Sequence, residues 1–266
     1  MIARRSFVLT PPTVAALAAA RPLAAQVLDV NDAINKAGRQ RMLSQRMCKA
    51  YCALGLAVQP ERAAEVLAHS MSLFDRQLVE LKVYSPNADI KATYAALEAA
   101  WSEYKALLVG ERPARQRAAG VVAQAGKVLP LAHRGTELLE QFSARPIGRL
   151  VNIAGRQRML SQRMAAFYLV AAWGVQGDAA VQELEKARSE FVTAHAVLKN
   201  APEATPAILA ELELAEGQFE FFSAALRRLQ PARAEGVPMA EVFTTSERIL
   251  QVMDRVTGLY AARPLA

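Results

Sequence analysis

The chain has 266 residues, slightly more than half of them apolar, with two cysteines and a formal charge of +7. Two cysteines exclude a disulfide framework, and so mild a basicity excludes a polyelectrolyte that tracks nucleic acid. Beyond the N-terminal leader no stretch reaches the roughly 20 uninterrupted apolar residues of a membrane-spanning helix, so the sequence reads as not membrane-embedded.

Residues 1–25 have the layout of an export signal. They carry no acidic residue, and Arg4-Arg5-Ser6-Phe7-Val8-Leu9 resembles the twin-arginine export motif. An apolar stretch through Val14 to Ala20 follows, and Leu23-Ala24-Ala25 offers a small-residue cleavage site before Gln26. An ordinary secretory signal with two adjacent arginines has the same layout, and both routes imply a periplasmic mature protein. The leader holds Arg4, Arg5 and Arg21, three of the seven net charges, which leaves +4 on residues 26–266.

From residue 26 onward the chain is rich in Ala, Leu, Glu, Gln and Arg, and its apolar positions recur at three and four, the helical period. The first predicted helix contains Ala37-Gly38-Arg39-Gln40-Arg41-Met42-Leu43-Ser44-Gln45-Arg46-Met47. Breakers then mark the ends of successive helices: Pro60, Ser85-Pro86-Asn87, Gly110 to Pro113, and Pro146, with Pro130 expected to kink the fourth helix. The same eleven residues return unchanged as Ala154 to Met164, followed by breaks at Gly177-Asp178, Asn200 to Pro206, and Pro231 to Pro238.

At a constant offset of 117, Asn35 matches Asn152, Tyr51 matches Tyr168, Phe74 matches Phe191, and Leu81-Lys82 matches Leu198-Lys199. Farther on the offset slips by about one, with Trp101 and Tyr104 facing Phe219 and Phe222. The duplicated unit is therefore a domain rather than a motif. The expected fold is all-α, two tandem antiparallel four-helix bundles related by internal duplication, over residues 26–146 and 147–266.

Three arginines per repeated box suggest an anion. At 100° per residue, Ile34, Gly38, Arg41, Gln45 and Cys48 share one narrow stripe, as do Val151, Gly155, Arg158, Gln162 and Ala165. Arg39, Arg46, Arg156 and Arg163 project away and read as salt-bridged or solvated. A glycine inside a helix costs about 1 kcal/mol relative to alanine, so its repetition one turn before a seam arginine needs a reason such as close approach of a backbone or ligand. Cys48 and Cys52, one turn apart, face Ala165 and Leu169 in the second copy and read as small buried apolar residues rather than a bond or metal pair.

The run from Ile34 to Met47 resembles the signature of the type IV pilus chemotaxis transducer N-terminal (PilJ-type) domain, and both copies carry it. It also resembles the first periplasmic helix of NarX-type nitrate and nitrite sensor kinases. The resemblance implies antiparallel four-helix bundles and a sensory role, with nitrate or nitrite held between the first helices of two bundles. It places the ligand at Gly38, Arg41, Gly155 and Arg158, with Asn35, Gln45, Asn152 and Gln162 as supporting candidates. The relatives build this site by dimerisation and carry membrane helices and an output domain, whereas here both halves lie in one chain. The expected partners are thus a small inorganic anion and a membrane sensor, chemoreceptor or transporter.

Nitrate is planar, singly charged and weakly hydrated, which suits a guanidinium fork better than a lysine. No cofactor or metal site is expected. His69, His133 and His195 are dispersed, Glu65 and His69 form only a lone pair, and no nucleophile has a base and an orienter nearby, so the chain does not read as an enzyme. The alternative reading is an interaction protein whose arginine-rich helices dock an acidic partner without a small ligand.

Overall fold

A computed structural model describes residues 26–229 and 238–263, so the expected export signal lies outside the described residues. Eight helices follow one another: α1 (Val30–Gly55), α2 (Pro60–Tyr84), α3 (Ala88–Val109), α4 (Arg115–Ser143), α5 (Pro146–Ala172), α6 (Gly177–Lys199), α7 (Pro206–Leu226) and α8 (Pro238–Ala261), with no strand among the described residues. The fold is all-α and bundled, as the period of the apolar positions implied. None of these helices is long and apolar enough to cross a membrane.

Local chemistry sets the helix starts. Asp29 caps α1 by accepting from the Asp32 N–H at 2.8 Å, and Asn87 caps α3 by accepting from Ile90 at 2.9 Å. Pro60, Pro146 and Pro206 stand in the first turns of α2, α5 and α7, where no intrahelical N–H is required. Pro146 therefore opens α5 rather than closing α4, which ends at Ser143 with Ala144 in the left-handed region. The helix also continues through Pro130 from Arg115 to Ser143. Pro130 and Gly126, whose carbonyl the proline leaves unbonded, both lie on the exposed face, where water can satisfy that carbonyl.

The turn after α1 recurs after α5 in atomic detail. Val58 N–H donates to the Ala53 carbonyl at 2.8 Å and Val175 to the Val170 carbonyl at 2.9 Å. Left-handed φ angles fall at Ala57 and Gln59 in the first turn and at Gly174 and Gln176 in the second, again 117 residues apart. Only one member of this set of four is a glycine.

α1 packs on α2 and α4, and α5 on α6 and α8, while α3 lies on α4 and α7 on α8. The two sets meet chiefly through α1 against α5. These two helices run parallel, since neighbouring pairs advance together from Ile34 beside Gly148, through Gly38 beside Gly155 and Gln45 beside Arg163, to Gly55 beside Trp173. Matched positions do matched work in both sets: Gln40 donates to the Phe74 carbonyl and Gln157 to that of Phe191, and Phe74 stacks on Trp101 as Phe191 stacks on Phe219. Cys48 and Cys52 are free, buried thiols, as expected from their apolar counterparts.

Candidate functional site

At the middle of the α1–α5 seam the two duplicated glycines let the helices approach. A Cβ on Gly38 would lie 3.7 Å from the Gly155 Cα, and one on Gly155 would lie 3.8 Å from the Gly38 Cα. The space that those carbons would fill is lined by the ends of Arg41 and Arg158. The Gly38 Cβ would be 3.1 Å from Arg41 Nη2 and 3.4 Å from Arg158 Nη2, and the Gly155 Cβ 3.1 Å from Arg158 Nη2 and 3.5 Å from Arg41 Nη2. The helical glycines thus leave room for two guanidinium groups.

Because a helical side chain leans toward its own N-terminus, each arginine reaches back one turn and crosses to the other helix. Arg41 Nη2 donates to the Asn152 carbonyl at 3.2 Å, and Arg158 Nη2 donates to the Asn35 carbonyl at 3.0 Å. Both arginines are completely buried. In each, Nε has no hydrogen-bond partner among the described residues, and neither do the Oδ1 atoms of Asn35 and Asn152.

The two arginines differ in their counter-charges. Arg158 Nη1 donates to the Asp254 carboxylate, which also accepts from Arg39 at 2.9 Å. Arg41 makes no ion pair with a carboxylate among the described residues; its Nη1 lies 3.1 Å from His133 Nδ1, and its Nη2 is spent on the Asn152 carbonyl. Burial, reinforced by Arg156 and Arg158 nearby and only partly offset by the more distant Glu137 and Glu140 carboxylates, lowers the Arg41 pKa to about 9, while Arg158, eased by Asp254, falls to about 10. Both remain charged at neutral pH. Burial and the Arg41 charge also push His133 below its ordinary value, toward the neutral imidazole.

Four further box arginines are ion-paired, as the stripe geometry implied: Arg39 with Asp254, Arg46 with Glu247 at 2.5 Å, Arg156 with Glu190 at 2.7 Å and Arg163 with Glu183 at 2.5 Å. Of the supporting candidates, Asn35 and Asn152 lie at the arginine pair through their carbonyls, and Asn152 Nδ2 donates to Glu140. Gln45 and Gln162 sit one turn farther on with protein partners, Gln45 accepting from Arg163 at 2.9 Å and Gln162 donating to the Ser246 carbonyl at 2.9 Å. Sequence reasoning missed His133 and Asp254. The signal was present in His133-Arg134-Gly135-Thr136 against Asp254-Arg255-Val256-Thr257, at an offset of 121 rather than 117.

The described structure is thus a helical bundle that buries two opposed arginines on its central seam, a candidate site for an anion. The chain matches the family described as type IV pili methyl-accepting chemotaxis transducer N-term over residues 23–125 and 141–231, most of its length and in both halves, and it belongs to that family. It is accordingly a chemotaxis transducer-like sensory domain, of a family that works with signalling partners. No curated protein and no solved structure matches it.

Proposed function

We propose that this chain is an exported, periplasmic small-anion sensor of two bundles, residues 26–146 and 147–266, with nitrate or nitrite as its ligand. The anion lies at the α1–α5 seam, held by Arg41 and Arg158 beside Gly38 and Gly155, as in the NarX-type sensors that the first helix resembles. One observation carries this reading: Arg41 is a fully buried cation that makes no ion pair with a carboxylate among the described residues, opposed by a second buried arginine. A buried charge left unpaired is costly, so an anion that joins the pair stabilises the arrangement it binds. The docking alternative is weakened because Arg39, Arg46, Arg156 and Arg163 already hold internal carboxylates. Signal output then passes to a membrane sensor, chemoreceptor or transporter.

Nitrate titration of the mature chain by calorimetry in chloride-free buffer tests the site. Arg41→Ala and Arg158→Ala should each remove most of the binding heat, and the double variant little more, because the two act as a unit. Arg41→Lys should also weaken binding, keeping charge but losing the fork. An unmutated chain without nitrate heat would overturn the reading.

A further inference from the structure

The duplication is broken beside the two arginines. Thr136 donates to the Ala132 carbonyl at 2.8 Å and Thr257 to the Met253 carbonyl at 2.6 Å, so the two threonines hold equivalent places on α4 and α8. His133 and Asp254, three residues before each, are therefore counterparts, and each lies against the seam arginine of its own half. Asp254 touches Arg158 and Arg39. The charged groups around His133 are Arg41 from α1, Arg156 from α5, Glu190 from α6, and Glu137 on its own helix, whose Oε1 is 3.2 Å from Nε2.

A guanidinium only donates, so Nδ1 of His133 accepts from Arg41 and the ring proton sits on Nε2, facing Glu137. The imidazole thus fixes the direction of Arg41 without cancelling its charge. Asp254 does both for Arg158. The His133 side chain is 34% exposed and that of Asp254 44%, so both halves of the seam have an edge on solvent and what separates them is the charge of the group that stands there.

We propose that Asp254 is a built-in counter-ion that partly neutralises the Arg158 half of the duplicated cradle, and that His133 is the positioning residue that leaves the charge of the other half uncancelled, so that one small monoanion enters on the Arg41 side and still faces Arg158 across the seam. The inference rests on the anion reading above and adds which half keeps its charge and which residue leaves it so. A carboxylate at position 133 would act as a tethered anion and exclude a free one.

The test uses the mature chain, with nitrate calorimetry at neutral pH in chloride-free buffer and thermal unfolding without nitrate. His133→Asp should weaken nitrate binding by about tenfold or more, and His133→Asn, a neutral acceptor, should restore most of that loss. Asp254→Asn, which removes the fixed counter-ion, should tighten nitrate binding. Without nitrate, His133→Asp should melt above His133→Asn because Arg41 gains a partner. Equal affinities for the two position-133 variants, or no gain from Asp254→Asn, overturn the proposal. If the unmutated chain takes no nitrate, the anion reading fails, and the melting order still decides the counter-ion assignment: His133→Asp no more stable than His133→Asn overturns it.

Discussion

The Lys49 ammonium lies 2.6 Å from the Glu247 carboxylate across the contact between α1 and α8, entirely removed from solvent, with Arg46 on the same carboxylate at 2.5 Å. Ser246 accepts from Lys49 at 3.0 Å, and the Phe243 ring lies 4.4 Å away. At the 117 offset Lys49 corresponds to Ala166, so this cluster ties the two halves together on one side of the seam only. Removing one partner of a buried pair leaves a stranded charge, which costs roughly 3–5 kcal/mol. Glu247→Ala strands two cations and should fall in that range by urea unfolding. Lys49→Met, which leaves Glu247 with Arg46, should cost clearly less.

Acid should dissolve the same contacts. Burial raises the Glu247 pKa, but Lys49 and Arg46 outweigh it and bring it from an ordinary 4.5 to about 2; Arg158 and Arg39 likewise bring Asp254 from 3.8 to about 2. The folded carboxyls bind protons less readily than the unfolded ones, so protonation favours unfolding. The stabilisation is present above about pH 4.5 and is lost as pH falls toward 2. Urea midpoints across this range should drop steeply, and Glu247→Gln should flatten the slope.

Gly38→Ala sets two effects against each other. Alanine gains about 1 kcal/mol of helix propensity, but its Cβ would press on both Nη2 atoms at 3.1 and 3.4 Å. These are the far ends of flexible side chains and can shift. Stability should therefore change little or rise, while nitrate binding falls because the forks are displaced. Equal binding before and after the change would remove Gly38 from the site.

The repeated turn offers a stability test. Ala57 holds φ 54, where its counterpart is Gly174 at φ 70. A non-glycine residue there costs roughly 1–2 kcal/mol, partly offset by the greater entropy glycine loses on folding. Ala57→Gly should raise the unfolding free energy by up to about 1 kcal/mol, and Gly174→Ala should lower it, both measured by urea unfolding.

Much of the fold was legible because the first two helices of each half repeat without a gap. The period of three and four located the helices, and the stripe through Gly38 and Arg41 identified the buried face. Trp101 and Phe219 were correctly matched, and each stacks on the phenylalanine of the preceding helix. The asymmetry of the site was not legible, because the offset drifts by four residues before α8 and hides the pairing of His133 with Asp254. Pro146 misled because proline suits a first helical turn as well as it stops a helix. The left-handed Ala57 carried no sequence signal, since its glycine counterpart stands only in the other copy.

The parallel course of α1 and α5 has a consequence for dose and dilution. Both arginines belong to one molecule, so the two faces of the seam meet at an effective concentration set by the chain itself. An anion response measured on this protein should have the same midpoint at any protein concentration, whereas a site shared by two identical subunits fades as the dimer dissociates. One fused chain is also released from symmetry, because a change on one side of the seam no longer appears on the other.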